Sequence, residues 1–128
     1  MDKQVFHTDR APKPKGPYSQ AVISNGILYV SGQVPTDPAS GSIMRGTIED
    51  EARLTLDNLK AIIEESGYRM QDILKISCYL ASIDDFAGFN RVYTEYFPYS
   101  PPARTAIQAG GLPAGVRVEI DAIAGRNH

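Results

Sequence analysis

The hydrophobic period of this chain changes at Thr47, and that change limits what the chain can fold into. Before it, Ala21-Val22-Ile23 and Ile27-Leu28-Tyr29-Val30 are β-rich runs separated by Ser24-Asn25-Gly26, and an Asn-Gly pair accepts the positive φ angles of a tight hairpin. After it, Ala52, Leu56, Leu59 and Ile63 recur at i, i+4, i+7 and i+11, the spacing of an amphipathic helix whose other faces carry Glu51, Arg53, Asp57, Lys60 and Glu64. Thr47 followed by Asp50 resembles a capping box with Asp in place of Glu, and Gly67 is placed to end the helix in a left-handed turn.

The same reading extends to both ends. Residues 4–8 alternate weakly and suggest a short strand, residues 11–17 form a proline-rich loop, and residues 33–46 have no period of either kind. Residues 73–81 mix β-branched, aromatic and aliphatic side chains as a covered strand does. Ser82 is a candidate N-cap for a second helix carrying Phe86, Phe89, Tyr93, Tyr96 and Phe97 up to Pro98. Residues 104–109 read as a strand, 110–115 as a turn and 116–124 as a final strand with Val118, Ile120, Ala122 and Ala124 on one face. The order ββ(β)αβαββ predicts an α+β fold in which both helices cover one face of a sheet. Apolar residues directed to the other face, such as Ile27 and Tyr29, point to burial by oligomerisation.

Composition narrows the function classes. A chain of 128 residues with a formal charge of −2 and interspersed signs fits one domain, residues 1–128, and offers no basic stripe for nucleic acid or an anionic membrane. The polar start and the lack of any apolar run near the roughly 20 residues that span a bilayer predict a soluble, unsecreted, cytoplasmic protein with no membrane partner. Cys78 is the single cysteine, which excludes an intrachain disulfide and a thiolate metal cluster; in a strand it reads as a small buried residue.

Six ordered motifs then carry a resemblance. They are Gly16-Pro17-Tyr18-Ser19-Gln20-Ala21, Val30-Ser31-Gly32-Gln33, Asn58-Leu59-Lys60, Phe89-Asn90-Arg91-Val92-Tyr93, Pro102-Ala103-Arg104, and Leu112-Pro113 with Val118-Glu119-Ile120. Together they resemble the RidA (YjgF) family across nearly the whole chain. The resemblance implies a chorismate-mutase-like α+β domain, with a mixed sheet of about six strands and two helices on one face. It also implies a homotrimer with a barrel core and clefts between subunits. The activity it implies is hydrolysis of reactive enamines and imines, such as 2-aminoacrylate, to 2-keto acids and ammonia, with no cofactor and no metal.

Such a reaction needs an anion clamp, a placed water and a proton relay. Arg104 offers a planar fork that pairs bidentately with a carboxylate, which lysine does not. Without its motif it would read as a surface or salt-bridge arginine. Glu119 is turned away from Val118 and Ile120 by the strand period, either as a solvated residue or as the carboxylate that orients water and moves protons. By the resemblance Ser31 and Gly32 line the cleft, where turn chemistry alone would make them a strand terminator. Tyr18 reads equally as a ring closing over a ligand or as an anchor of its loop. Asn90, a poor helix-interior residue, is either a cleft-facing amide or a surface residue. With His7 and His128 near opposite ends of the chain, no triad forms around Ser31 and no paired-histidine ribonuclease signal exists. The chain departs from the family at Ala106, where many members carry cysteine; water attack needs no enzyme nucleophile, so activity is expected to survive while substrate preference shifts. Related enamine, carbamate or aminomuconate-type hydrolysis and a non-catalytic, keto-acid-binding or protein-stabilising trimer remain the alternatives.

Overall fold

The computed structural model describes residues 2–126. Its strands are β1 (Gln4–Phe6), β2 (Ala21–Ser24), β3 (Ile27–Gln33), β4 (Ile73–Leu80), β5 (Ala103–Gln108) and β6 (Val118–Gly125), with α1 (Ile48–Glu65) after β3 and α2 (Phe86–Tyr96) after β4. They form one six-stranded sheet in the order β1-β2-β3-β6-β4-β5. Only β4 and β5 are parallel neighbours; every other pair is antiparallel. Because β6 lies between β3 and β4 and opposes both, β3 and β4 also run in the same direction, so each helix is the crossover that parallel strands require.

Local chemistry sets these boundaries. Asn25 and Gly26 adopt φ of 53° and 78°, as the hairpin turn requires. Thr47 Oγ1 accepts the Asp50 amide at 3.1 Å to cap α1, while the return bond from the shorter Asp side chain is not formed. At the other end the amides of Gly67 and Tyr68 donate to the carbonyls of Glu64 and Ile63, both at 3.0 Å, with Gly67 at φ +89°: a left-handed cap as the sequence predicts. Ser82 caps a 3-10 turn, Ile83–Asp85, and α2 follows from Phe86, one short turn later than the spacing suggested.

The core fills the space between the helices and one sheet face. Leu28 and Val30 of β3, Ile76, Cys78 and Leu80 of β4, and Val118, Ile120, Ala122 and Ala124 of β6 are buried there, against Leu56, Leu59, Ile62 and Ile63 of α1 and Phe89 and Val92 of α2. Several buried polar side chains are paired, Glu51, Thr55 and Asn58 among them. Glu51, which the helical spacing placed off the apolar stripe, is only 3% exposed; its carboxylate accepts the amides of Arg117 at 2.8 Å and Gly46 at 3.2 Å. It thereby ties the start of α1 to the segment entering β6.

The two helices meet at Gly88, where a Cβ would lie 2.7 Å from Ile48 Cγ2 and 2.9 Å from Glu49 Oε2. Replacing glycine by alanine gains about 1 kcal/mol of helix propensity, but overpacking a close contact costs about 1–3 kcal/mol. Gly88→Ala is therefore expected to be destabilising by about 1 kcal/mol, read as a lower urea midpoint at unchanged m value. A raised midpoint would show that Ile48 yields without cost.

Candidate functional site

The residues marked by the sequence fall into two groups on opposite faces of the sheet. Glu119 pairs with Tyr79 in the β4–β6 register and points to the face that carries no helix. Arg104 pairs with the buried Ile76 in the β4–β5 register, so it leaves β5 on the helix side.

On the open face, the β3–β6 register passes from Val30↔Ala122 to Gln33↔Ile120, setting Ser31 and Gly32 against the single residue Asp121. This is a β-bulge, which re-aims side chains and recurs beside active sites. It extends β3 through Gln33, so Ser31 and Gly32 lie within the strand and do not end it. A Cβ on Gly32 would meet the Glu119 side chain, 3.0 Å from Cδ and 3.2 Å from Cγ; glycine leaves the room in which that carboxylate sits. Ser31 is more committed than its sequence reading allowed. Its hydroxyl donates to Ser19 O at 2.6 Å and its amide to Gln20 O at 2.9 Å, leaving hydroxyl lone pairs as what it can offer. Tyr18, 51% exposed, stands at the same place, and Tyr18, Ser31, Gly32 and Glu119 all line one cavity of about 470 Å³.

The surroundings of Glu119 disfavour its charged form. Partial burial raises its pKa above the usual glutamate value, and the nearby Asp121 carboxylate raises it further. Asp121 in turn accepts the Tyr79 hydroxyl at 3.2 Å. The Tyr79 pKa is itself raised, first by the Asp121 charge.

On the helix side, Arg104 Nη1 donates to Asn90 Oδ1 at 2.8 Å. The guanidinium carbon lies 4.7 Å from the centre of the Tyr93 ring and 6.0 Å from that of Phe89, within cation–π range. Arg10, Arg53, Arg69, Arg91 and Arg117 each pair with a carboxylate, whereas Arg104 forms no ion pair among the described residues. A neutral amide and an aromatic face thus fix the guanidinium without cancelling its charge, and most of its five N–H groups stay available to an anion. The sequence placed Asn90 in the site but missed Tyr93, which it read as a core position of α2. The ring is buried at 7% exposed, yet its hydroxyl has no hydrogen-bond partner among the described residues, and burial pushes its pKa up to about 12. An aromatic three residues after Asn90 on the same helix face is the signal that pointed to it.

Cys78 is fully buried opposite Ala106 in the β4–β5 register. Burial pushes its thiol up to about 12, against a smaller opposing effect of Arg104, so it is an inert packing residue. Ala106 lies on the Arg104 side of β5, half-buried. No group of three or more His, Cys, Asp or Glu side chains among the described residues is placed to hold a metal ion, and no helix is long and apolar enough to cross a membrane.

Comparison with known proteins agrees with the six motifs. A family model described as Endoribonuclease L-PSP matches residues 8–125. A RutC family protein of Pyrococcus horikoshii is 48% identical over 122 residues, covering 95% of this chain and 97% of its own. A Mus musculus protein named 2-iminobutanoate/2-iminopropanoate deaminase is 43% identical over 122 residues, covering 95% and 90%. The crystal structure of E. coli TdcF with bound serine matches with a TM-score of 0.92 at 38% identity, over 97% of this chain and 99% of that one. With one family model reaching from Thr8 to Gly125 and relatives matched along almost their whole length, the chain belongs to the RidA (YjgF) family, the Endoribonuclease L-PSP proteins.

Proposed function

We propose that this protein hydrolyses 2-imino and 2-enamino acids to 2-keto acids and ammonia, in clefts that each combine Arg104 of one subunit with Glu119, Ser31, Gly32 and Tyr18 of its neighbour in a homotrimer. The observation that carries the reading is a guanidinium held by neutral groups and a carboxylate of raised pKa on opposite faces of one sheet. A substrate of six or seven non-hydrogen atoms does not reach both through a covered sheet, so the two halves need a second copy to meet. The open face supports this, with Tyr29 48% and Ile107 47% exposed. The deaminase name of the Mus musculus relative and the serine bound to TdcF, a small molecule bearing a carboxylate, support the substrate class. A cytoplasmic location is part of this reading, and the lone cysteine suits it.

In this reading the substrate carboxylate takes a bidentate pair from Arg104, which fixes the position of C2. An enamine first gains a proton at C3, from Glu119, to become the imine. Glu119 then accepts a proton from water as its oxygen bonds to C2. The carbinolamine nitrogen takes up that proton, the C–N bond breaks to release ammonia, and the C2 oxygen passes its proton to the Glu119 carboxylate as the keto group forms, which regenerates the acid. A carboxyl of raised pKa retains a usable protonated fraction nearer neutrality, which suits both halves of the cycle.

Three outcomes are expected. Arg104→Ala lowers kcat/KM for 2-aminoacrylate, generated in situ by a dehydratase, by about 100-fold or more, and Arg104→Lys restores little of it, because a desolvated charge pair is lost or its fork geometry spoiled. Glu119→Gln lowers kcat by about 100-fold or more while keto acid binding persists. When the Arg104→Ala and Glu119→Gln proteins are unfolded together and reassembled, about a quarter of the sites in random trimers carry both residues. Activity returning to roughly that level supports the shared cleft, and no recovery counts against it.

The pKa of Glu119 makes a separate prediction for stability. A carboxyl whose folded pKa is raised binds protons more readily in the folded than in the unfolded state. Its ionisation therefore opposes folding, with no cost below the unfolded pKa and the full cost above the folded one. Glu119→Gln is expected to be more stable than the parent at pH 7–8, with the difference vanishing as pH falls below about 4; a constant difference across that range would contradict the assignment.

Tyr93→Phe keeps the ring under Arg104 and removes an unpaired buried hydroxyl. Unfolding measurements should show a gain of about 1 kcal/mol with turnover close to the parent. A fall in kcat at higher stability would instead place the hydroxyl against the substrate.

A further inference from the structure

The cavity that holds Glu119 is larger than a three- or four-carbon imino acid requires. Its volume is about 470 Å³, whereas an acid of six or seven non-hydrogen atoms displaces about as many waters, on the order of 200 Å³ at roughly 30 Å³ each. Past Ser31, Gly32 and Glu119 its wall includes Ile43, Lys13 and Lys15. Two exposed lysines therefore line the cavity together with one carboxylate.

Those lysines sit on a stiff loop. Pro12, Pro14 and Pro17 restrict its backbone, and Lys15 Nζ donates to Gly41 O at 2.6 Å while its amide approaches Tyr18 Oη at 3.4 Å. The Gly41 carbonyl is neutral, so the charge of Lys15 remains uncompensated. Neither Lys13 nor Lys15 forms an ion pair among the described residues. Glu119 is not their partner either, since it forms no ion pair among the described residues.

We propose that the cavity selects 2-imino and 2-enamino acids whose side chain ends in a second anionic group, a distal carboxylate, received by Lys13 and Lys15. The inference rests on the deaminase reading: Arg104 of the neighbouring subunit takes the first carboxylate, Glu119 serves the C2 centre, and the second carboxylate is a spectator. Ile43 and the proline-rich wall pack against the methylenes between the two ends.

The test uses two stable keto acids of equal length, 2-oxoadipate and 2-oxohexanoate, which differ only by a terminal carboxylate in place of a methyl group. Titration calorimetry on the assembled protein is expected to show 2-oxoadipate binding about tenfold tighter, with the advantage shrinking as salt is raised. In the Lys13→Gln/Lys15→Gln double variant the ratio should fall to about one, and in Lys13→Arg/Lys15→Arg it should persist. Equal affinities in the parent, or a ratio the glutamine variant leaves unchanged, would overturn the proposal. Ammonia release is measured alongside, from the corresponding imines made in situ by amino acid oxidases. A lysine-dependent preference with ammonia release from neither imine faster than in the absence of the protein would sink the deaminase reading and leave the second-anion subsite standing.

Discussion

A β-strand sends successive side chains to opposite faces, and that alternation governs both the stability of this protein and what it can bind. Along β6, Val118, Ile120, Ala122 and Ala124 go under the helices, and Glu119, Asp121 and Ile123 go to the bare face. The register carries the same division across to β5, where Arg104 shares a face with Ile76. A slip of one residue in β6 would expose the core set and bury two carboxylates at once. The position of Glu119 is therefore held by the whole core. Arg104 depends equally on the helix layer, since Asn90 and Tyr93 of α2 give its guanidinium one orientation.

Most of the architecture could be read from the chain because hydrophobic period reports burial directly. The Asn25-Gly26 turn, the Thr47 cap, the Gly67 terminator and the buried face of β6 all lie where local chemistry places them. What escaped depends on neighbours distant in sequence. Glu51 looks like an ordinary surface residue of α1 until the amide of Arg117, 66 positions on, is found against it. The bulge at Ser31 and Gly32 is a relation between β3 and β6, which no pattern within β3 records. Site residues were legible in a different way: Arg104, Asn90 and Glu119 were marked by their motifs, but spacing alone could not show that one chain keeps Arg104 and Glu119 on separate faces. Tyr93 was hidden because its helical position fits the core as well as it fits a cation.

The treatment of charge differs between the buried pairs and the candidate site. Buried Glu51 has two backbone amides and Arg117 beside it, and Arg91 reaches Glu49; such groups are satisfied within the fold. Arg104 is stacked and hydrogen-bonded but left without an anion, and Glu119 is set near Asp121, a neighbour of its own sign. The like-charged neighbour of Glu119 costs stability relative to a paired alternative, as the proposed catalytic role would require.

In the proposed trimer this cost also couples assembly to chemistry. Covering the open face would remove water from Tyr29 and Ile107, nearly half exposed in one chain, and from the cavity mouth around Glu119. Loss of water raises a carboxylate pKa in the direction it already moves here, and it strengthens the pull of Arg104 on a substrate anion by lowering the effective dielectric. A single chain would then hold two half-sites, each oriented but neither fully desolvated. Closing the interface would complete the geometry and sharpen the electrostatics in the same step, so the apolar area buried between subunits would offset the unpaired charges that the reaction requires.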